Sequence, residues 1–280
     1  MAFYFFVVLI NPKSLKMNKF ILSLIVILFS SSSFLTPKSD IPMKTTYVLV
    51  HSAWLGAWQW EQVALSLTQL GHTVITPDLP GHGSDPTPAE NITMDDYVGV
   101  LLDILDQEKE SVVLVGHSFN GITISRVAEL RPQKISSLVY LTAFLVPNGV
   151  SFFDAVQGVQ ESKAVENFYL SEDQNKAFVK EEAMHEAFAH DVPIEKFQKA
   201  AALIVPEPAA PLGYKLEVSD EVFGKIPKYY IECTEDKAIP IEVQRSMYKG
   251  KVQKTFVLRT SHTPNFSEPQ KLSHILAKIK

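Results

Sequence analysis

The chain carries one cysteine, Cys233, among 280 residues, so no disulfide can form within it and the fold must hold without staples. Neither sign of charge dominates. Lys and Arg number 26 against 31 Asp and Glu, a net charge of −5, which gives no basic footprint for nucleic acid. No apolar run is long enough to cross a bilayer comfortably, which takes about 20 residues; FILSLIVILF, from Phe20 to Phe29, has ten. Internal repeats are absent, and low complexity is confined to the serines at 30–33. HEAFAH, from His185 to His190, imitates the zinc motif H-E-x-x-H, but its histidines are five apart. Five residues turn about 140° around a helix, so the rings do not share a face. No metal and no cofactor are expected.

What is present suits one large domain: 46% of residues are hydrophobic and 20% charged, enough for an ample core. The front differs from the rest. Met17, Lys19, the ten-residue apolar run and a small-residue stretch over 30–39 read as a secretory signal. On that reading Met17 is the start, residues 1–16 are an extension, and the product is secreted or periplasmic. An uncleaved anchor is the alternative, and would be the protein's one link to a membrane. Residues 1–43 are therefore set apart from the fold.

Beyond them, strands alternate with helices. TTYVLVH (45–51), HTVITPD (72–78), the run from Val112 to Val115, ISSLVYLTAF (135–144), KYYIECT (228–234) and KTFVLRT (254–260) read as six strands. Helices fall between them: one ends at Gly71, and another opens on a capping box of Thr93 and Asp96. Alternation of this kind predicts an α/β fold with a mostly parallel sheet and helices on both faces. The core is expected over 44–144 and 223–280. The stretch 145–222 reads as a helical lid; it is rich in Phe and inserted after a strand's C-terminal end, over the mouth of the site.

The stretch SVVLVGHSFNG (111–121) organises the rest. A buried strand, a tight turn with Ser118 at its apex and a helix form the context in which a G-x-S-x-G-like motif carries meaning. The second glycine is replaced by Asn120, with Gly121 one place later, and Asn120 is expected to take its place in a strained conformation. Merely capping a helix is the plainer role for such a serine. A serine hydroxyl needs a base, and the base needs an acid to orient it. His262 lies just past the last strand and Asp236 just past the one before it, both at loops where an open sheet places its site. Asp220 precedes its strand, and Glu235 should point away from Asp236's side, so Asp236 is preferred. Two N–H donors are needed for an oxyanion: that of Phe119, after the nucleophile, and one from the loop after the first strand, where Ala53 is chosen. Ser52 and Trp54 flank Ala53 and are expected to meet the substrate.

HSAWLGAWQW, PDLPGHGSD, GHSFNG, ECTEDKAIP and SHTPNFSEP together resemble the α/β-hydrolase superfamily, and more narrowly the branch of plant methylesterases, hydroxynitrile lyases and small bacterial esterases. The resemblance runs from about Thr45 to the C-terminus. It implies an α/β-hydrolase fold, a triad of Ser118, Asp236 and His262, and oxyanion donors at Ala53 and Phe119. Two departures bear on the activity. Ser52 stands where the esterases usually carry glycine and the lyases threonine, and Thr263 stands where the lyases carry a lysine. The expectation is a serine carboxylic-ester hydrolase working through an acyl-enzyme on a small, hydrophobic ester. A hydroxynitrile-lyase-like lyase and a non-catalytic ligand-binding protein on the same fold are the alternatives. The sequons at Asn91 and Asn265 are read as chance.

Overall fold

The computed structural model describes residues 44–280; the signal segment read at 1–43 lies outside the described residues. Six strands form the central sheet: Thr46–Val50 (β1), Thr73–Ile75 (β2), Val112–His117 (β3), Ile135–Leu141 (β4), then, after a long insertion, Lys228–Cys233 and Lys254–Leu258. Three short strands inside the insertion, Phe168–Leu170 (β5), Lys176–Val179 (β6) and Glu207–Pro208 (β7), make those last two β8 and β9. The order across the central sheet is β2-β1-β3-β4-β8-β9, and every pairing is parallel. The expected α/β-hydrolase architecture is therefore present.

Both faces of this sheet are covered, which explains why its strands lack polar alternation. Val48, Val50, Leu114, Leu138, Tyr140 and Tyr230 point to one face. Tyr47, Leu49, Val113, Val115, Val139 and Ile231 point to the other. Helices Glu61–Gln69 (α1), Met94–Gln107 (α2) and Gly121–Leu130 (α3) follow the first three strands as crossovers. Helix α1 places Val63 and Leu67 against the second face, while α2 and α3 cover the first with Tyr97, Leu101, Leu105, Ile124 and Val127. The predicted punctuation is present. Gly71 has φ +91°, and the His72 and Gly71 N–H groups donate to Leu67 O and Thr68 O, a Schellman ending. Thr93 and Asp96 cap α2 reciprocally.

The insertion differs from its helical reading. Helices Phe152–Val156 (α4), Lys163–Glu166 (α5), Glu181–Phe188 (α6), Ile194–Ala201 (α7) and Ala209–Leu212 (α8) are joined by an antiparallel sheet in the order β5-β6-β7. Phe168, Tyr169 and Phe178, counted as helical, lie in that sheet, where Tyr169 stacks on Phe178 with ring centres 5.1 Å apart. Aromatic residues fit a pleated, half-buried surface, and such cross-strand stacking is available only there. After β8 come Ile241–Tyr248 (α9), β9, Pro264–Ser267 (α10) and Pro269–Leu276 (α11). Helix α11 buries Leu272 and Leu276 beside α1.

Chain order determines where a crevice can open. From β1 the chain moves outward to β2, then returns across β1 to β3. Connections thus diverge between β1 and β3, and the crevice lies at the C-terminal ends of those two neighbours.

Candidate active site

Five described residues other than glycine have positive φ, and three of them end adjacent strands: Trp54 (+64°) after β1, Ser118 (+57°) after β3 and Thr142 (+34°) after β4. Such conformations cost about 1–3 kcal/mol each and persist where the surroundings hold them. Ser118 is the apex of the turn, and the contacts that tighten it come from glycines on either side. A Cβ on Gly116 would lie 2.7 Å from Asn120 O, and one on Gly121 2.5 Å from Phe144 O. Asn120 itself has φ −70°, so the strain expected there is absent. Its side chain works instead: Nδ2 donates to His51 O at 2.6 Å and Oδ1 accepts from Thr123 Oγ1 at 2.6 Å. The nucleophile turn is thereby tied to the loop after β1.

His262 and Asp236 meet as expected, Nδ1 to Oδ2 at 2.7 Å, with both residues buried. The carboxylate is fully engaged. Oδ2 also accepts from Thr142 Oγ1 at 2.5 Å, and Oδ1 accepts the N–H groups of Ala238 and Ile239. Thr142 was not singled out in the sequence, where its only mark is a polar residue directly after the apolar run Leu138–Leu141. Of the competing acids, Glu235 pairs with Arg259 and Asp220 is exposed. With Nδ1 donating to Asp236, His262 Nε2 is left as the basic nitrogen. That nitrogen is buried without a hydrogen-bond partner among the described residues, and His262 lines the same cavity as Ser118. Catalytic hydrogen bonds often close only around substrate.

The loop after β1 shows why one N–H is singled out. The Ser52 N–H donates to Gln59 Oε1 at 3.0 Å, and the Trp54 N–H donates to Glu207 Oε2 at 2.9 Å. Between them, the Ala53 N–H has no partner among the described residues. Phe119 N–H belongs to the first turn of the 3-10 segment Ser118–Asn120, where donors have no intrahelical acceptor. The Phe119 ring is buried against Phe152. Ser52 Oγ turns toward Ala53 O and Gln59 Oε1, so its hydroxyl is engaged with the loop although the residue lines the cavity.

Gln59 is a second residue the sequence did not mark. Its Nε2 lies 3.1 Å from His117 Nδ1, its O accepts from Asn265 Nδ2, and His117 Nε2 faces His262 O at 2.9 Å. The amide orientation fixes the tautomer: His117 accepts at Nδ1 and donates at Nε2. Burial, then the nearby His262, holds the His117 pKa well below its ordinary value, and its ring lies 4.8 Å from that of His262, tilted by 32°. Asn265 is fully buried, which leaves its sequon inaccessible in the folded chain.

The cavity encloses about 500 Å3, including space open to solvent, and is walled by Trp54, Trp58, Phe188, Phe197, Ile204 and Phe266. Ser52, Ser118, His262 and Thr263 supply its polar groups, and among the described residues no Lys, Arg, Asp or Glu lines it. Thr263 Oγ1 donates to Phe188 O at 2.8 Å. In the insertion, His185 and His190 bond separate carbonyls, Val192 O and Glu235 O.

A sequence profile of the alpha/beta hydrolase family matches residues 47–275. Over 251 residues the chain is 34% identical to an Arabidopsis thaliana protein named "Putative methylesterase 11, chloroplastic", covering 83% of this chain and 63% of that one. The chain thus spans less than two thirds of that relative's length. An alpha-hydroxynitrile lyase from the same plant is 32% identical over 250 residues, covering 84% of this chain and 97% of its own length. Among solved structures, a pyrethroid hydrolase from Sphingobium faniae JZ-2 superposes with a TM-score of 0.76 at 29% identity, covering 84% of this chain and 96% of that one.

Proposed function

Because the chain belongs to the alpha/beta hydrolase family, we propose that it is a serine carboxylic-ester hydrolase acting on a neutral, largely apolar ester. One observation carries the reading: a serine at a strained strand end, a histidine nitrogen without a partner and an unbonded N–H at Ala53 border one apolar cavity. Ser118 Oγ attacks the ester carbonyl while His262 Nε2 takes its proton. Asp236 holds the imidazole by Nδ1 and stabilises the cation that forms. Charge on the carbonyl oxygen is met by the N–H groups of Ala53 and Phe119, each worth about 10²–10³ in turnover. His262 then protonates the departing alcohol. Water, deprotonated by His262, hydrolyses the acyl-enzyme and restores the serine.

The cavity argues for the substrate class. A lining with no cation gives a carboxylate-bearing substrate no counter-charge, and desolvating an unpaired charge is costly. Its aromatic walls suit a ring-bearing acyl or alcohol part. Activities carried in the names of the relatives support the ester reading. The lyase reading has less support, because a departing cyanide would meet Thr263, whose hydroxyl is already engaged.

Hydrolysis of p-nitrophenyl butyrate by the wild type, with Ser118→Ala at least about 10³-fold slower, is the expected result. Equal rates would overturn the proposal. Cyanide released from a cyanohydrin without labelling of Ser118 by a fluorophosphonate would favour the lyase. Neither turnover nor labelling would favour a ligand-binding role. Export rests on residues 17–39 and is tested by the N-terminal mass of protein recovered outside the cytoplasm.

A further inference from the structure

Glu207 is a carboxylate with no solvent exposure that ester hydrolysis by the triad does not use. It sits in β7, within the insertion, yet its side chain reaches into the core. Oε2 accepts the Trp54 N–H at 2.9 Å and a proton from His82 Nε2 at 2.7 Å; Oε1 accepts the Tyr97 hydroxyl at 3.0 Å. The other ring nitrogen of His82 faces Pro80 O at 3.1 Å, so each ring nitrogen has an acceptor within hydrogen-bond reach. Burial opposes a charge on that ring, but the charge and hydrogen bond of Glu207 prevail and raise the His82 pKa.

The insertion holds residue 54 at every polar group. Besides the N–H bonded to Glu207, Trp54 O accepts the Val205 N–H at 3.0 Å, and Trp54 Nε1 donates to Ala177 O at 2.9 Å. Trp54 is also the residue with φ +64°, a conformation unfavourable for a tryptophan without such restraint. Its peptide neighbour is Ala53. A change in the Trp54 backbone would therefore shift the peptide that joins the two residues.

We infer that Glu207, clamped by His82 and Tyr97, is a positioning residue for the oxyanion site: by accepting the Trp54 N–H it holds the strained loop that presents the Ala53 N–H to the substrate. The kinetic consequence rests on the esterase reading. The structural consequence, an order imposed on loop 51–57 by the insertion, does not.

The experiment compares Glu207→Leu, which fills the space without an acceptor, with Glu207→Gln, which keeps an oxygen for the Trp54 N–H. Three readouts are taken: kcat and KM for p-nitrophenyl butyrate, inhibition by a trifluoromethyl ketone against its plain methyl ketone, and amide deuterium exchange over 51–57. The trifluoromethyl ketone places an oxyanion in the site on addition of Ser118; the methyl ketone reports ground-state binding. Glu207→Leu is expected to lower kcat about 10- to 100-fold, below the full loss of a donor. KM and methyl-ketone inhibition stay within about twofold, while trifluoromethyl-ketone affinity falls in parallel with kcat. Exchange over 51–57 accelerates. Glu207→Gln is expected to recover most of the kcat, because the buried N–H keeps an acceptor.

Equal weakening of both ketones, or unchanged kcat with unchanged exchange, would overturn the inference. Should Glu207→Leu not fold, Tyr97→Phe removes only the hydroxyl at Oε1. It is expected to lower kcat with KM held, and no change in kcat or exchange there would likewise overturn it. If the wild type hydrolyses no ester but exchange responds as described, the esterase reading fails and the clamp stands.

Discussion

The side chain of Asn120 ties two loops whose separation decides whether a carbonyl can sit between nucleophile and donor. Its amide nitrogen holds His51 O after β1, and its oxygen is held by Thr123. Restoring the glycine usual in this motif should therefore weaken the protein. Asn120→Gly is expected to cost about 1–3 kcal/mol by removing the partner of His51 O and leaving Thr123 Oγ1 only the weak acceptor Met94 Sδ, and to lower kcat as the β1 loop drifts. Urea unfolding and ester kinetics on one preparation check both. At this scale the sequence was legible where position alone assigns a role: Ser118, Asp236 and His262 sit on the loops that the strand order brings together. It was silent on Thr142, Gln59 and Glu207. Their work depends on which side chain a folded backbone turns toward them, and no spacing records that. It also misplaced the strain, because a glycine-to-asparagine change is visible in the letters whereas a positive φ at serine is not.

At the scale of elements, strand and helix approach each other behind the nucleophile with no room to spare. Gly121→Ala would push a Cβ to 2.5 Å from Phe144 O, a backbone atom that cannot step aside. About 1–3 kcal/mol of stability should be lost through overpacking, and activity should fall because the same contact fixes Ser118. Gly99 is the matched control, since in α2 its Cβ would meet nothing within 4 Å. Gly99→Ala should raise stability by about 0.5–1 kcal/mol through helix propensity. Thermal midpoints of the two variants should move in opposite directions. The central strands were the most readable, because both faces of the sheet are covered there, so β1 and the start of β3 are apolar runs between turns. The insertion was not so readable: its strands are two to four residues long, too short for a period of two to show against a helical background.

For the molecule as a whole, buried histidines set the response to acid. Burial, reinforced by His82 nearby, lowers the His51 pKa to about 3, and His117 is likewise held neutral. In the unfolded chain each titrates near its ordinary value of about 6.5. Between those values the unfolded state binds protons that the native state refuses, so stability is full above about pH 6.5 and declines as pH falls toward 3. His82 works oppositely: with its pKa raised, its contribution is present below about 6.5 and fades as pH rises through its native value. Melting temperature should accordingly fall from pH 6.5 to 4. His51→Gln, which can still donate to Ser52 O and accept the Leu79 N–H, should flatten that slope. An equally steep slope in the variant would exclude His51 as its source.

The lone thiol, Cys233, closes β8 three positions before Asp236 and has no solvent exposure. An aqueous disulfide reagent can reach it only when the strand that leads to Asp236 parts from its neighbours. The rate at which this one sulfur reacts is thus a built-in clock for opening of that edge of the sheet, and bound inhibitor should slow it without any engineered label.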